Sequence, residues 1–502
     1  MVKIYPVTKT ELNVEDYEVK INGEKIDLHT ARVSKYPINR RWPGHQREKT
    51  QTELVNFALM EFVSATTFEI RPKKPFEKVE IRPKSLGITP TVEDGVIRFT
   101  LEKPAYFTVE PFGRHEALHI FADPEQFKMV RKGDGNSIYF EKGIHEAGVI
   151  ELHDNETVYL DEGAVVYGSI YAKDAKNIRI LGKGILDNSH NKEEILFPVE
   201  DSANDVAVKN ATRRHTIVLE YCENIHIGGI TIRDSLVYTV RPSACKNLLI
   251  QNVKVIGNWR YNSDGFDMHN YENVMIDNCF LRTFDDSICA KGFDCYFEGD
   301  VEEEVKKAMY RGGKKYDTFR NLVVQNCVIW NDWGKALEIG AETRAEEMHD
   351  ITFRNCDIIH TTGPVLDILN VDYAHVHNVS FQNINVEYDD ENLSPLLQTK
   401  DGEEYINPDP EKIPLLIKAE TYFHKEYSAG GTRRGKIDHI TFENIHLFGK
   451  KPPKLKFAGY DEDHKTRDIV IRDLYHNGKK VDSLPEENFV LGDFTENILL
   501  SF

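Results

Sequence analysis

The sequence predicts an all-β protein: a right-handed parallel β-helix (residues 126–502) preceded by a small antiparallel β-sandwich (residues 1–125). Three observations predict it. A chain of 502 residues is long for one compact domain. Its first part reads as short strands with turn residues every 8 to 12 positions or so. Its second part carries a repeat of the length that solenoids use.

Strand-like segments in the first part are Thr67–Ile70, Lys78–Ile81 and Val96–Leu101. This part contains no cysteine, and its spacing of strands and turns is typical of a sandwich. The run Trp42–Arg47 could contact a ligand, although packing between domains is the commoner fate of such residues.

The repeat begins at a polar residue, usually Asn or Asp, that an aliphatic residue follows. Its uninterrupted spacings are 23, 26, 29, 28 and 29 residues, and a second polar residue follows five positions after most of the marks. Short alternating strands at this period predict a β-helix with about three strands per coil. The repeat positions are Asn177, Asn224, Asn247, Asn273, Asn321, Asp350, Asn378, His439 and Asp468.

Stacking brings equivalent positions of successive coils to about 4.8 Å, one strand spacing. Recurrent asparagines are therefore expected to form ladders that satisfy the polar groups of the turns. The cysteines keep the same register, so we expect them to be stacked interior side chains. Residues 293–318 and 388–435 break the pattern and are predicted to be insertions that wall a binding site.

The net charge of −19 argues against nucleic acid or an anionic membrane as the main partner. The N-terminus shows no apolar leader, and the seven cysteines show no paired metal-binding spacing, so we expect a cytoplasmic protein with reduced thiols. We predict no cofactor and no bound metal. The oligomeric state is left open, a homo-oligomer included.

Acidic residues recur at one position of the coil. Asp264 lies nine residues before Asn273, as Tyr238 lies nine before Asn247, and Asp285 and Asp286 follow about one coil later. The same count places Ala341 nine residues before Asp350, with Glu338 and Glu342 beside it. One face of the solenoid is therefore predicted to carry all of these carboxylates.

Carboxylates so close together cannot all ionise cheaply. One pKa should rise and supply a general acid, while an ionised neighbour activates water, which is the division that glycoside hydrolysis needs. The alternative is that these aspartates only cap turns or bind calcium.

The segments Asp234–Val240, Asn262–Gly265 and Asp285-Asp286 resemble the polygalacturonase family of glycoside hydrolases and the related dextranase–isopullulanase family. The resemblance implies a right-handed parallel β-helix and an inverting mechanism. It implies that Asp285 is the general acid, and that Asp264 and Asp286 hold and deprotonate the attacking water. Lys291 resembles a lysine often found at this place in polygalacturonases.

The sequence also departs from the polygalacturonase pattern. The Gly-His-Gly segment is replaced by Trp333-Gly334-Lys335-Ala336, and no basic residue stands in Val365–Leu369, where an Arg-Ile-Lys would grip a uronate. We therefore expect a neutral or only partly uronic sugar, with Trp333 either stacking on it or packing in the solenoid. The candidate substrate-binding residues are Tyr238, Asn262, Asp267, His269, Lys291, Trp333, Glu338 and Glu342.

The sequence thus predicts an inverting glycoside hydrolase, exo-acting on a neutral, α-glucan-like or partly uronic oligosaccharide. A pectin hydrolase of the polygalacturonase type is the alternative. Two readings of other classes stay open: a calcium-dependent polysaccharide lyase with Lys291 or an arginine as base, and a catalytically silent carbohydrate-binding solenoid.

Overall fold

A computed structural model describes residues 2–35, 38–40, 49–125, 130–191, 215–292, 318–388, 396–398, 412–424, 428 and 433–501. In these ranges the chain forms strands and two 3₁₀ helices, Lys49–Gln51 and Lys84–Leu86, and no α-helix. No helix in this part of the chain is long and apolar enough to cross a membrane. The Trp42–Arg47 run, residues 293–317 and most of the 388–435 insertion lie outside the described residues.

The N-terminal strands form two sheets. One contains Val2–Ile4, His29–Ser34, Thr52–Phe62, Glu80–Arg82, Ala105–Arg114 and Leu118–Asp123. The other contains Tyr17–Ile21, Glu24–Ile26, Thr66–Pro72, Thr91–Glu93 and Val96–Leu101.

Aromatic side chains join these two sheets face to face. The Phe107 ring meets Phe68 at 6.0 Å and Phe99 at 5.7 Å, both edge-on. Within each sheet the pairing is antiparallel, except that Leu118–Asp123 runs parallel to Thr52–Phe62. The predicted sandwich is therefore present with one parallel pair.

From Ser137 onward the chain winds into a parallel β-helix with three sheets, which confirms the predicted fold class. The Asn sheet contains Ser137–Phe140, Thr157–Leu160, Arg179–Gly182, Glu223–Gly228, Lys246–Gln251, Glu272–Asp277, Thr318–Gln325, Glu347–Arg354, His375–Glu387, Lys436–Phe448, Thr466–His476 and Thr495–Ser501.

The interface sheet contains Ile185–Asp187, Thr231–Arg233, Lys254–Ile256, Phe280–Thr283, Val328–Asn331 and Asp357–His360. The acidic sheet contains Ile217–Glu220, Val240–Ser243, Phe266–His269, Ile288–Gly292, Leu337–Thr343, Leu366–Asn370, Ile417–Thr421, Leu455–Ala458 and Phe489–Leu491. Two long strands, Gly143–Leu152 and Ala164–Lys173, begin in line with the interface sheet and end in line with the acidic sheet. The remaining short strands are Lys479–Lys480 and the parallel pair Ile38–Arg40 and Leu396–Gln398.

Each repeat asparagine has a positive φ, as at Asn247 (54°) and Asn273 (63°). Asn tolerates this left-handed conformation better than most residues, which explains its recurrence. The side chains also form the expected ladder: Asn273 donates to Asn247 at 3.0 Å and receives a hydrogen bond from Asn321 at 2.8 Å.

The interior of the solenoid is a continuous apolar core that includes five cysteines: Cys222, Cys245, Cys279, Cys327 and Cys356. Along this stack the thiols donate to backbone carbonyls, Cys327 to Gln325 O and Cys356 to Arg354 O, both at 3.3 Å. The prediction of stacked interior thiols is confirmed for these residues. The thiol of Cys289 lies outside the apolar core and donates to Asp267 at 3.4 Å.

The sandwich packs on the interface sheet. Phe121 contacts Phe280 with ring centroids 4.9 Å apart, and Lys254 pairs with the buried Asp123 at 2.9 Å. Arg82 reaches Glu387 at 2.7 Å. These contacts, all between described residues, lie on the interface sheet and its continuation at Glu387.

Candidate active site

The acidic cluster is formed by consecutive coils at the start of the acidic sheet. The backbone N–H of Thr239 donates to Asp264 O at 3.0 Å, and that of Gly265 donates to Asp286 O at 2.8 Å. Asp264 and Asp286 are therefore vertical neighbours, with Tyr238 on the preceding coil.

The position predicted for Ala341 is wrong, because Lys335 occupies it. Ser287 N–H donates to Lys335 O at 2.8 Å. The strand pairing slips between Ala290 and Gly292, where the strand Leu337–Thr343 bulges, so a count of nine residues back from Asp350 stops short of the site.

Two buried asparagines hold the turns that carry the aspartates. The amide of Asn258 donates to Asp264 O at 3.2 Å, and the amide of Asn331 donates to Asp285 O at 2.6 Å. Neither was predicted from the sequence, because they lie outside the repeat positions and nothing in the local pattern marks them.

Glycines allow these turns to pack closely. A Cβ on Gly265 would lie 2.2 Å from Ser287 O, and one on Gly334 would lie 2.4 Å from Asp286 N. Only glycine fits such approaches of one backbone to another.

Lys291 is the centre of the cluster. Its ammonium lies 3.2 Å from Asp267, 3.6 Å from Asp264, and 3.7 Å from both Asp286 and Glu342. These four carboxylates come from three coils, so one buried lysine links the levels of the site. Burial opposes its charge, but the surrounding acidic groups raise the pKa of Lys291 well above the usual value.

Asp285 and Asp286 are adjacent in sequence but differ in protonation. Burial and the charge of Asp286 raise the pKa of Asp285 to about 7, although its carboxylate accepts backbone hydrogen bonds from Asn262 (3.2 Å) and Asp286 (3.1 Å). Burial opposes ionisation of Asp286 too, but Lys335 and Lys291 outweigh it and lower that pKa to about 2. The pair thus offers one protonated and one ionised carboxyl near neutral pH.

The other acidic groups share the excess of negative charge. Burial and the neighbouring Asp267 raise the pKa of Asp264 well above its usual value. Burial raises the pKa of Asp267 to about 6 against the opposing effect of Lys291. Glu338 is buried beside Asp286, and both effects raise its pKa well above normal.

Among the described residues, Asp264, Asp286 and Cys289 offer ligand atoms close enough to hold a metal ion. The Lys291 ammonium lies within 4 Å of both carboxylates, however, and already forms ion pairs with them. A cation here would face a fixed positive charge, so the donor set fits a lysine better than it fits calcium, which also prefers oxygen ligands alone.

The model of the glycosyl hydrolases family 28 matches residues 138–389, just over half of the chain. The chain belongs to this family. The predicted resemblance to polygalacturonase-like enzymes is thereby confirmed, and the matched region contains every predicted site residue.

Individual relatives are more distant. A probable polygalacturonase from Vitis vinifera is 32% identical over 87 residues, which cover 17% of this chain and 18% of that relative. Dex49A from Penicillium minioluteum shares the fold, with a TM-score of 0.55 and 15% identity over 98% of this chain and 94% of its own. A hyperthermoactive exopolygalacturonase from Thermotoga maritima aligns over 73% of this chain and 85% of its own, with 17% identity and a TM-score of 0.48.

In this family 28 member, Lys335 belongs to the segment that replaces the Gly-His-Gly of polygalacturonases. The Lys335 ammonium lies 3.4 Å from Asp286 and 3.2 Å from Glu338, and its backbone N–H donates to Asp286 at 3.0 Å. The sequence did carry a signal for Lys335. The Trp333-Gly334-Lys335 segment follows the end of the strand Val328–Asn331, one coil after the turn that carries Asp285 and Asp286.

A second lysine reaches the same sheet from a later coil. Glu338 pairs in register with Asp367, and Asp367 pairs with Lys418. The Lys418 ammonium lies 4.0 Å from Asp367 and 3.2 Å from Glu420. Sequence reasoning missed Lys418 because it assigned all of residues 388–435 to an insertion, whereas Ile417–Thr421 is a strand of the acidic sheet.

The aromatic candidates lie at two places. The Tyr238 ring lies 5.3 Å from the Lys291 ammonium and 6.4 Å, edge-on, from His269. Burial holds the pKa of His269 well below its usual value, so this imidazole is neutral. Trp333 is partly exposed and stacks on Phe284 at 5.4 Å, so one face of its indole is already used by the protein.

Proposed function

We propose that this family 28 protein is an inverting glycoside hydrolase, with Asp285 as the general acid and Asp286 as the general base. The observation that carries the proposal is that Lys335 and Lys291 lie 3.4 and 3.7 Å from Asp286. They hold the pKa of Asp286 at about 2, whereas burial beside this charge raises that of Asp285 to about 7. A glycosidase needs one proton donor and one ionised acceptor at the same pH.

The proton path follows from these states. Asp285, partly exposed, donates its proton to the departing glycosidic oxygen. Asp286 accepts a proton from the water that attacks the anomeric carbon, and Asp264 beside it holds that water. Lys291 and Lys335 keep Asp286 ionised, while their charges limit the repulsion that the other carboxylates exert.

For the substrate, we propose a neutral or only partly uronic oligosaccharide of the α-glucan kind. The three lysines found around the cluster are each within 4.0 Å of at least one carboxylate: Lys291, Lys335 and Lys418. Several carboxyls are so crowded that their pKa values rise, and a substrate carboxylate would add to that repulsion.

A pectin hydrolase of the polygalacturonase type is the second candidate. Lys335 and Lys418 favour it, because they bring two ammonium groups to the acidic sheet near Val365–Leu369, where the sequence itself has no basic residue. A uronate would then have to exchange with Glu338 or Asp367 as the partner of a lysine.

The first experiment incubates the protein with neutral α-glucan and galacturonate oligosaccharides of matched length. Proton NMR of the first product formed reports the configuration of the new reducing end. We expect inversion, release of sugar from one chain end, and faster hydrolysis of the neutral series. Faster hydrolysis of galacturonates would select the second candidate, and a retained configuration would remove the assignment of Asp286 as base.

The matched variants are Asp285→Asn and Asp277→Asn. Asp277 belongs to the same coil but lies in the Asn sheet, where it accepts hydrogen bonds from Gln325 and Asn326 at 3.0 and 2.7 Å. Loss of the general acid should cost roughly 10²- to 10⁴-fold in kcat on substrates with poor leaving groups. The same loss in both variants would refute the role of Asp285.

Two other outcomes would replace the proposal. Unsaturated products and loss of activity with a chelator would indicate a lyase. Sugar binding without turnover, unchanged by Asp264→Asn, would indicate a binding solenoid.

Exo-action on imported fragments would fit a cytoplasmic enzyme, and the cytoplasmic location stays a prediction.

A further inference from the structure

A patch of histidines lies on the outer face of the Asn sheet, apart from the acidic cluster. Glu347 pairs in register with His375, and His349 pairs with His377 on the same two strands. Alternate residues of a strand point to the same side, so these four side chains form a two-by-two group.

Three members of the group are placed to share one ion. Glu347, His375 and His377 offer ligand atoms that all lie within 4.8 Å of one another. The rings of His375 and His377 are 4.3 Å apart, and His377 Nε2 is 4.0 Å from a Glu347 oxygen. Two imidazoles and a carboxylate that leave further positions open are a common ligand set for zinc.

The surrounding groups orient these rings as they do in metal sites. His375 Nε2 is hydrogen-bonded to Asp438 at 2.9 Å, and Asp438 comes from the next coil. A carboxylate behind a histidine fixes its ring orientation and raises its basicity as a ligand. His349, stacked on His377 at 4.9 Å, is itself hydrogen-bonded to Asp350 at 2.8 Å.

His377 is the member without such a partner. Its Nε2 is buried and accepts or donates no hydrogen bond among the described residues. A buried polar atom without a partner is costly unless a ligand supplies one.

We propose that Glu347, His375 and His377 form a site for a divalent transition-metal ion of the Zn²⁺ class. Imidazole nitrogen suits Zn²⁺, Cu²⁺ and Ni²⁺, whereas Ca²⁺ and Mg²⁺ prefer oxygen ligands alone. The ion would bind Glu347 of one coil and the two histidines of the next, with Asp438 of a third coil behind them. The site would therefore tie three coils together and stabilise the solenoid.

The test uses the whole chain, treated with chelator and dialysed, then titrated with ZnCl₂ by calorimetry and followed by thermal unfolding. We expect saturable binding and a higher unfolding temperature with Zn²⁺, and neither with CaCl₂ or MgCl₂. A response to Ca²⁺ equal to that to Zn²⁺, or no saturable Zn²⁺ binding, overturns the proposal.

Substitutions of the proposed ligands test where the ion binds. Glu347→Gln, on a half-exposed side chain that can be changed without disturbing the core, should weaken Zn²⁺ binding at least 10-fold or so, since loss even of an outer partner costs about 10- to 100-fold. His377→Asn should abolish the thermal shift. His226→Asn is the matched control, because His226 is a partly exposed histidine of the same sheet several coils away.

The buried Asp264–Asp286–Cys289 group is the competing location. Binding that survives Glu347→Gln and His377→Asn but is lost in Asp264→Asn would overturn the proposal. Cobalt(II) substitution separates the two sites independently, because a thiolate ligand such as Cys289 adds a charge-transfer band that nitrogen and oxygen ligands lack. We expect a spectrum without that band.

Discussion

Replacing Lys335 with glutamine removes the ammonium 3.4 Å from Asp286 without removing the backbone N–H that donates to the same carboxylate. Two unit charges at this distance interact by about 5 kcal/mol at an effective dielectric constant near 20. The Lys335 side chain is 25% exposed, so we reduce this to roughly half for solvent screening. The pKa of Asp286, about 2 in the native site, should then rise by about 2.

The assay is the pH dependence of kcat/KM, which reports ionisations of the free enzyme. In its proposed role as base Asp286 must be ionised, so the rate should fall when the pH drops below its pKa. We expect native activity to stay level down to about pH 4, where the Lys335→Gln variant has already lost about half of its own plateau.

Lys418→Gln is the control, since Lys418 pairs with Asp367 and Glu420 instead of Asp286. It should leave the acidic limb where it is, whatever it does to KM. An acidic limb that does not move in Lys335→Gln, or that moves equally in both variants, would refute the idea that Lys335 holds Asp286 ionised.

Three further predictions concern the site and the solenoid. Because the proposed general acid, Asp285, has a pKa of about 7 and would act in its protonated form, kcat/KM should fall about tenfold per pH unit well above pH 7. A level profile to pH 9 or so would count against this role. Gly334→Ala would place a Cβ 2.4 Å from Asp286 N, so kcat should fall roughly 100-fold while the circular dichroism of the fold persists; undiminished kcat would contradict this. Asn273→Ala loses both ladder hydrogen bonds and forces alanine to a φ of 63°, a cost of about 1–2 kcal/mol, whereas Asn273→Gly keeps the conformation and should melt at a higher temperature than the alanine variant. Equal melting temperatures would show that the left-handed backbone is not the reason for asparagine there.

The solenoid could be predicted from the sequence because its cause is local and repeated. Each coil needs a residue that tolerates a left-handed turn, and the same side chain can bond to its copy one coil away. The repeated asparagines in the sequence therefore predict both the position of the turns and the stacking of the coils. The sandwich was predicted less sharply, and its parallel pair, Thr52–Phe62 with Leu118–Asp123, brings together strands that lie far apart in sequence.

The site was predictable as far as the register held. Asp264 and Asp286 meet one coil apart as their spacing indicates, and Lys291 lies among them. The count failed at Ala341, after the 293–318 insertion and at the bulged strand Leu337–Thr343. A bulge adds residues without a repeat mark, so counting from a distant asparagine cannot detect it.

The lysines of the site could not be predicted from the repeat for a related reason. A charge pattern along one strand says little about which residue of another coil lies beside it, once insertions have changed the spacing. Lys335 and Lys418 are separated by 83 positions of sequence, yet both reach the same part of the acidic sheet. Asp367 lies in register with Lys418 on one neighbouring strand and with Glu338 on the other. Glu338 in turn forms an ion pair with Lys335. The expected lack of basic groups near Val365–Leu369 holds for the sequence segment but not for the space around it.

This difference bears directly on specificity. A guanidinium–carboxylate clamp for a uronate needs a cation whose donors are unoccupied and held in a plane. Lys335 and Lys418 are point charges that already contact Glu338, Asp286, Asp367 and Glu420. A uronate would have to displace one of these carboxylates and leave it buried with less compensation, whereas a sugar hydroxyl can donate to the same oxygens without removing a charge. The arrangement therefore favours hydroxyl recognition over carboxylate recognition at this sheet, and that is the physical reason why we expect the neutral oligosaccharides to be hydrolysed faster.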